Sequence, residues 1–230
     1  MRVLSIDTSG RFNEIGLVDG DREIGGLVWE AADNSLRDII LNIDLVLGKA
    51  RLDLADVDGL AVGVGPGSWT GVRVGMTVGK TLAYATGKPL CGISSLDALA
   101  YQGRNVPTLL CPMVEAGRGN IYAAFYRSLG ETTVRQGEYY AGNISGLLKL
   151  VREPILFLGD ATLLHRQAIP ESLGLLANFR DPAEEVRGYG IAALAVARFE
   201  RGERDDALSL APLYLREPLI KALLAQGRRD

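Results

Sequence analysis

The stretch Gly63–Thr81, GVGPGSWTGVRVGMTVGKT, decides how the first half of the chain folds. Its glycines and its closing Gly-Lys-Thr resemble a nucleotide phosphate loop, whose pattern is G-x-x-x-x-G-K-[ST]. The pattern fails because position 74 is valine, and because Gly79 would lie about two turns inside a helix, where amide groups already donate to carbonyls. The dinucleotide pattern G-x-G-x-x-G fails as well, since the frame GPGSWT ends in threonine and Pro66 has no amide hydrogen.

A tight turn that leads into a helix is the better interpretation. The turn comprises Gly65, Pro66, Gly67 and Ser68, and Thr70 is the predicted N-cap of a helix over residues 71–87. Three glycines recur at every fourth position and share one face of this helix: Gly71, Gly75 and Gly79. Each costs about 1 kcal/mol relative to alanine, so the backbone is expected to approach another element closely. That element is either the chain's own sheet or a helix of a partner.

The periodicity of the whole chain predicts the same order of elements twice, βββαβαβα. In the first copy, strands are predicted at 2–7, 13–19, 22–30, 58–64 and 89–93, and helices at 35–50, 71–87 and 94–102. In the second, strands are predicted at 108–116, 120–128, 132–141, 154–160 and 173–179, and helices at 145–153, 162–169 and 190–202. Three antiparallel strands followed by alternating helices and strands give a mixed sheet covered by helices.

This duplication predicts an α/β protein of two lobes, each an RNase H-like βββαβαβα unit. We place the first lobe at residues 1–105 and a smaller, degenerate second lobe at 106–230, whose last helix and tail are expected to pack back on the first. The layout is that of the actin-like, Hsp70-like and sugar-kinase (ASKHA) superfamily.

Composition narrows the class of protein. The 230 residues are 47% hydrophobic and 23% charged, which predicts a globular chain with a substantial core. The net charge of −3 lacks the basic surplus of a protein that grips nucleic acid by itself. Cys91 and Cys111 have no metal-ligand spacing and are predicted to be buried, reduced thiols. With no signal-like segment and no run of 18 apolar residues, the chain is expected to be cytoplasmic, without membrane contact.

Several segments together resemble the TsaB (YeaZ) family. They are MRVLSIDTSG at the N-terminus, GVGPGSWTGVRVG from Gly63, GKTLAYATGKPLCGISSLDALA from Gly79, and the late APLYLRE. The segment VEAGRGNIYAAFY is similar to a hairpin of that family, with Glu115 where aspartate is usual. The chain departs from the family at Asn34-Ser35, where many members have His-Ser, and this puts contacts of that histidine in doubt.

The resemblance implies a bacterial protein of tRNA threonylcarbamoyladenosine modification, which acts on the adenosine beside the anticodon. It implies a non-catalytic relative of the transferase TsaD that forms a TsaB–TsaD heterodimer, joined by the ATPase TsaE. It further implies a homodimer when TsaD is absent, and tRNA contact only within the assembly. No cofactor of its own is expected, although a nucleotide at the TsaB–TsaD junction is left open, as is the role of the tail at Arg228 and Arg229.

The sequence lacks the residues that catalysis of the TsaD type would need, as expected of a non-catalytic relative. TsaD-like chemistry needs two histidines spaced H-x-x-x-H to hold a metal, whereas the only histidine is His165. No G-x-S-x-G nucleophile motif is present. Asp7, Thr8 and Ser9 follow the first strand, where the first phosphate loop of the superfamily lies. Because the following turn has a single glycine, we expect a vestigial phosphate-loop position without tight ATP binding.

The surface predicted to bind a partner is the helix pair of the first lobe. Having apolar residues on more than one side is unusual for a surface helix, and helix 35–50 adds Leu41 and Leu45 to its main apolar face. The predicted interface comprises Leu36, Ile39, Ile40, Ile43, Leu47, Gly71, Val72, Arg73, Gly75, Met76 and Gly79. Arg73 lies in a first helical turn, where the dipole disfavours a cation, so either a nearby carboxylate or solvent is expected beside it.

Two other classes of function remain open at this point. One is a small-molecule kinase of the same superfamily, which would turn over ATP. The other is a peptidase-like or chaperone-like relative, which would need the missing histidines.

Overall fold

Two five-stranded mixed sheets form the molecule in the computed structural model, which describes residues 1–31, 36–180 and 187–215. The predictions for Asn34 and for the tail at Arg228 and Arg229 lie outside these residues. The strands are β1 (Arg2–Asp7), β2 (Phe12–Asp19), β3 (Arg22–Glu30), β4 (Gly59–Gly63), β5 (Leu90–Ile93), β6 (Leu109–Gly117), β7 (Asn120–Leu129), β8 (Thr132–Asn143), β9 (Ile155–Leu158) and β10 (Ala177–Phe179). The α-helices are α1 (Leu36–Lys49), α2 (Trp69–Thr86), α3 (Ser95–Gln102), α4 (Ile144–Leu148), α5 (Ala161–Leu164), α6 (Ala168–Leu173) and α7 (Arg187–Glu200). None of the helices in the described ranges is both long enough and apolar enough to cross a bilayer.

The two sheets have equivalent strand orders. Sheet 1 runs β3-β2-β1-β4-β5 and sheet 2 runs β8-β7-β6-β9-β10. In each, the first strand pairs antiparallel with the second and parallel with the fourth. The central strands β1 and β4 are buried along almost their whole length, as expected for strands covered on both faces. The duplicated order predicted from periodicity is therefore present.

The start of α2 differs from the prediction. The helix begins at Trp69 and its N-cap is Ser68, whose hydroxyl accepts a hydrogen bond from the amide of Gly71 at 3.2 Å. Thr70, the predicted cap, lies exposed within the first turn. Both residues have a hydroxyl suited to capping. Ser68 is the cap because its own amide donates to the carbonyl of Ser9 at 2.7 Å, which fixes Ser68 at the start of the helix.

The second half differs most between residues 144 and 179. The helix predicted at 145–153 is only α4, and the segment 162–169 gives two short helices, α5 and α6, rather than one. Pro170 fits because it lies in the first turn of α6, where an amide hydrogen would have no intrahelical partner. Gly174, at a φ of 55°, begins a 3₁₀ turn, so the strand predicted at 173–179 shrinks to β10.

The last helix of each half packs on the sheet of the other half. Helix α7 lies against β1, β2, β4 and β5, α3 lies against β6, β7 and β8, and the two helices pack on each other. Glycines allow this exchange, because a Cβ on Gly16 would lie 2.6 Å from the carbonyl oxygen of Gly188. A Cβ on Gly190 would lie 2.5 Å from the carbonyl oxygen of Ala98. The core that joins the halves includes Val3, Ala61, Ile93, Ala98, Ile191 and Ala195.

The glycine stripe of α2 packs on the chain's own sheet, which decides between the two alternatives left by the sequence. A Cβ on Gly71 would collide with the carbonyl of Thr8, and one on Gly75 with the hydroxyl of the same residue. A Cβ on Gly79 would collide with the side chain of Val62 in β4. The glycines therefore set the distance between α2 and sheet 1.

Both cysteines are buried thiols that form no disulfide, as predicted. Burial raises the pKa of Cys91 to about 11 and also raises the pKa of Cys111. Burial thus favours the protonated thiol over the reactive thiolate at both positions.

Substitution of Gly71 by alanine should destabilise the fold. An added methyl group at an exposed helical glycine stabilises by up to about 1 kcal/mol, but here it would collide with the backbone carbonyl of Thr8 in the turn after β1. We expect a net loss of about 1–3 kcal/mol in the free energy of unfolding, the range for overpacking, measured by urea denaturation. Gly48→Ala is the matched control, because nothing lies within 4 Å of a Cβ there, and it should be neutral or stabilising. Equal effects of the two substitutions would contradict the packing of α2 described above.

Candidate functional site

The loop Gly65–Ser68 lies between β4 and α2 and contacts both α3 and the turn between β1 and β2. Gly65 has a φ of 92°, in the left-handed region that favours glycine, and its carbonyl accepts from the amide of Ser95 at the start of α3. A Cβ on Gly67 would collide with the carbonyl of Ser9, which shows how closely the loop approaches the β1–β2 turn. The Gly65–Pro66 peptide is cis. The loop is thus held by its surroundings on every side.

The turn after β1, at the predicted phosphate-loop position, uses its polar groups internally. Thr8 donates its hydroxyl to the carbonyl of Gly71 at 2.6 Å and accepts from the amide of Gly75 at 3.0 Å. Asp7 accepts from the amide of Ser9 at 2.8 Å, and the hydroxyls of Ser9 and Ser95 lie 2.7 Å apart. All three residues of the turn are buried. The groups that would meet a phosphate are therefore engaged with α2 and α3.

The lysine of the Gly-Lys-Thr sequence binds backbone rather than a nucleotide. Lys80 donates its ammonium group to the carbonyl oxygens of Leu208 at 3.3 Å and Leu210 at 2.8 Å. These carbonyls belong to residues 205–215, a segment with a turn at residues 207–209 that we call the C-terminal strap. The stretch Gly63–Thr81 therefore packs α2 on sheet 1 and fastens the C-terminal strap.

Further contacts hold the strap on sheet 1 along its length. At its start, Asp205 accepts from the amide of Gly92 at 2.8 Å and from the guanidinium of Arg198 at 2.9 Å. Burial alone would raise the pKa of Asp205, but these two hydrogen bonds outweigh it and hold the pKa below its usual value. Near its end, the amide of Leu213 donates to the carbonyl of Val64 at 2.8 Å.

An aromatic stack closes the strap over the N-terminus of α2. The rings of Trp69 and Tyr214 are stacked with their centroids 3.9 Å apart. The guanidinium of Arg73 lies 4.2 Å from the centroid of Trp69 and donates to the hydroxyl of Tyr214 at 2.9 Å. Arg73 is exposed, in line with the solvent alternative, and the partners that its guanidinium does have are aromatic side chains rather than a carboxylate.

A cleft of about 550 Å³ lies between the two halves of the molecule beside this stack. We call it the interlobe cleft. Its lining consists of Ser9, Gly10, Arg11, Gly67, Ser68, Trp69, Val72, Glu115, Ala116, Gly117, Tyr122, Asp160, Leu163, Leu164, Leu213, Tyr214 and Leu215. The volume lies in the range of about 300–1,000 Å³ typical of ligand pockets.

The charged groups of the cleft are mainly acidic. Asp160 accepts from the backbone amide of Arg11 at 3.2 Å, which joins the two walls, while its other carboxylate oxygen is buried. The guanidinium of Arg11 pairs with Glu30 at 3.0 Å. Burial lowers the pKa of His165, and the nearby charge of Glu115 opposes this effect. Two carboxylates and a paired arginine make a poor lining for a polyphosphate.

Most of this lining lies in the segments that resemble the family: MRVLSIDTSG, GVGPGSWTGVRVG, VEAGRGNIYAAFY and APLYLRE. Sequence reasoning did not predict that these segments meet in one cleft. It also missed Asp160 and the leucines of α5, Leu163 and Leu164, because nothing in their local patterns marks them. Among the described residues, no group of three or more His, Cys, Asp or Glu side chains could hold a metal ion.

The residues of the predicted partner interface separate into two groups. Ile39, Ile43, Leu47, Gly71, Val72, Gly75, Met76 and Gly79 are buried within the chain. Leu36, Ile40 and Arg73 are exposed. The remaining exposed apolar side chains of the two helices are Leu41, Leu45 and Tyr84, with exposed fractions of 54%, 45% and 75%. Whether any of them contacts a partner stays a prediction.

Comparison with known proteins gives a consistent family. A family model described as TsaD, tRNA N6-adenosine threonylcarbamoyltransferase, matches residues 18–221. The tRNA threonylcarbamoyladenosine biosynthesis protein TsaB of Bacillus subtilis is 32% identical over 220 residues, which cover 94% of each chain. The family model is named after the transferase TsaD. The Bacillus subtilis protein, which is matched along 94% of its length, is named TsaB.

Solved structures support the fold. YeaZ from Pseudomonas aeruginosa superposes with a TM-score of 0.77 at 22% identity, covering 93% of this chain and 99% of that one. A ROK hexokinase from Thermus thermophilus superposes with a TM-score of 0.56 at 13% identity, covering 88% of this chain and all of that one. These similarities confirm the predicted two-lobe, actin-like α/β fold.

Replacing Lys80 by methionine should loosen the strap and leave ATP binding unaffected. The substitution keeps the apolar stem and removes hydrogen bonds from a charged donor, so we expect a loss of about 1–3 kcal/mol in stability and faster proteolysis within residues 205–215. Lys49→Met, on an exposed last turn of α1, is the control. A lysine of a true phosphate loop would behave differently, because its loss would abolish ATP binding while sparing the strap.

Proposed function

The chain belongs to the TsaB (YeaZ) family of tRNA threonylcarbamoyladenosine biosynthesis proteins, and on that premise we propose that it acts as a non-catalytic subunit that supports TsaD. In this role it forms a TsaB–TsaD heterodimer that recruits the ATPase TsaE. The tRNA is contacted only within the assembly, and a nucleotide bound at the TsaB–TsaD junction belongs to the same proposal. A homodimer through the same surface would form when TsaD is absent.

The observation that carries the proposal is the β1–β2 turn. Thr8 and Ser9 direct their hydroxyls and backbone groups to α2, α3 and the motif loop. An enzyme that transfers a phosphoryl or carbamoyl group needs groups aimed at the substrate where charge develops. The single histidine of the chain, His165, also cannot supply an H-x-x-x-H metal pair. These features favour a supporting subunit over a kinase or a peptidase.

The exposed side of α1 is the surface best suited to a partner. Leu36, Ile40, Leu41 and Leu45 are each between 45% and 54% exposed, on a helix of 14 residues. Adjacent apolar side chains at a helix surface are typical of protein interfaces. The buried members of the predicted interface act indirectly, because Ile39, Ile43 and Leu47 anchor α1 on the core. A partner would therefore meet the exposed leucines and isoleucine of α1, with Tyr84 of α2 as a further contact.

An omission assay tests the proposed role. TsaC, TsaD, TsaE, unmodified tRNA, threonine, bicarbonate and ATP are mixed with and without the chain, and the modified nucleoside is quantified by mass spectrometry. We expect modification to depend on the chain, and we expect the chain alone to turn over neither ATP nor casein. Equal modification in its absence would contradict the proposal, and ATP turnover by the isolated chain would favour the kinase alternative.

Charged substitutions on α1 test the docking surface. Leu41→Asp/Leu45→Asp should weaken the complex with TsaD by at least about tenfold, since truncating a central contact of an interface often costs more than 1 kcal/mol. The measurement is the Kd by isothermal titration calorimetry, with unfolding monitored in parallel. Leu129→Asp/Leu175→Asp is the matched control, because both leucines are exposed on the second half of the molecule. Unchanged affinity of the α1 variant, or equal losses in the two variants, would place the interface elsewhere.

A further inference from the structure

The interlobe cleft offers apolar surface to a ligand. Leu163 and Leu164 of α5 line it and are 50% and 62% exposed, although large apolar side chains are more often buried. Tyr122 and Trp69 add two aromatic residues to the same lining. The cleft volume of about 550 Å³ is that of a site for a small molecule rather than for a protein surface.

The carboxylate of Asp160 lies in this lining without a cationic partner. Asp160 directly precedes α5, a position from which a carboxylate often caps a helix, but its side chain makes no hydrogen bond with the amides of α5. One of its oxygens accepts from the backbone amide of Arg11 at 3.2 Å. The other is buried, and no donor in the part of the chain that the structure describes reaches it. A partly desolvated charge that is balanced by one neutral donor interacts strongly with a cation.

Glu115 adds a second negative charge to the cleft. Its side chain is exposed, and it takes part in no ion pair among the described residues. The cation of the lining is Arg11, whose guanidinium is already paired with Glu30 at 3.0 Å. A cleft lined by charges of one sign raises the local concentration of ions of the opposite sign. The lining therefore favours a cationic ligand and disfavours a polyphosphate.

We propose that the interlobe cleft binds a small organic ammonium ion. The ammonium group of the ligand is held by the carboxylates of Asp160 and Glu115. Its aromatic or aliphatic body packs on Leu163, Leu164 and Tyr122. The exposed leucines of α1, which form the proposed docking surface, are not part of this lining. The inference concerns the isolated chain, so it stands or falls independently of the proposed function.

Three probes that share a phenyl ring and a two-carbon chain but differ in charge test the site. They are 2-phenylethylammonium, 2-phenylethanol and 3-phenylpropionate, and ATP is the fourth arm. The readout is the indole ¹H–¹⁵N signal in NMR spectra of the full-length chain. The chain has two tryptophans, of which Trp69 lines the cleft, whereas Trp29 lies on β3 outside the lining. The variant Trp29→Phe assigns the two signals.

The ammonium probe should shift the Trp69 signal in a saturable way and leave the Trp29 signal in place. Its Kd should be at least about tenfold lower than that of the alcohol, because a charge-assisted hydrogen bond is stronger than a neutral one. The carboxylate probe and ATP should shift neither signal, since the lining repels negative charge.

Substitutions in the cleft separate the charge of the site from its shape. Asp160→Asn keeps the size of the side chain and should raise the Kd of the ammonium probe by about tenfold, without changing that of the alcohol. Glu115→Gln, at an exposed position where folding is not at risk, should act in the same direction. Leu164→Ala should weaken both probes alike, because it removes apolar surface only. Glu138→Gln, which neutralises an exposed carboxylate on β8 outside the lining, is the matched control and should change neither Kd.

Three results would overturn the proposal. The first is an equal Kd for the ammonium probe and the alcohol, or an ammonium Kd that neither Asp160→Asn nor Glu115→Gln changes. The second is a Trp69 signal that stays in place up to about 10 mM of the ammonium probe, which is weaker than the roughly millimolar binding that a small ligand needs to occupy a site. The third is a Trp69 shift with ATP and none with the ammonium probe, which would assign the cleft to a polyphosphate.

Discussion

The two halves of the molecule are held together where α3 and α7 exchange sheets, because backbone there packs directly against backbone. The carbonyl of Gly188 lies against Gly16 of β2, and its amide donates to the buried carboxylate of Glu14 at 2.9 Å. Gly190 lies equally close to the carbonyl of Ala98 in α3. Each half thus supplies the helix that covers the other's sheet, so neither half has a complete core by itself. The interlobe cleft is lined by residues of both halves.

The same principle of close backbone contact explains the glycine-rich stretch. Small residues in α2 let the helix settle on β1 and β4, and this closeness allows the hydroxyl of Thr8 to reach into the backbone of α2 between Gly71 and Gly75. A side chain on either glycine would push the helix out and break that link. The glycines and the internal use of the β1–β2 turn are therefore one feature. The β1–β2 turn uses its polar groups to hold α2, so the same groups do not face a phosphate.

The sequence could predict what depends on neighbouring residues. The period of apolar side chains predicted the duplicated order of strands and helices, and the motif around Gly65 indicated the family. Contacts between distant residues could not be predicted in this way. Lys80 binds carbonyls 128 and 130 residues away, and backbone carbonyls have no sequence signature. The choice of Ser68 over Thr70 as the helix cap depends on the carbonyl of Ser9, which also comes from another element. The division of the α1 and α2 residues into buried and exposed sets needed the packing of both helices on sheet 1.

The strap connects the interlobe cleft to the helix that packs beside the proposed docking surface. Its middle is fastened by Lys80 of α2, and its end is stacked on Trp69 at the start of the same helix. Helix α2 in turn packs on α1, whose outer side is the proposed docking surface. The end of the strap, Leu213–Leu215, also lines the interlobe cleft. The docking surface and the cleft are therefore connected through a single helix, α2, which glycine contacts hold on sheet 1 and which also fastens the strap.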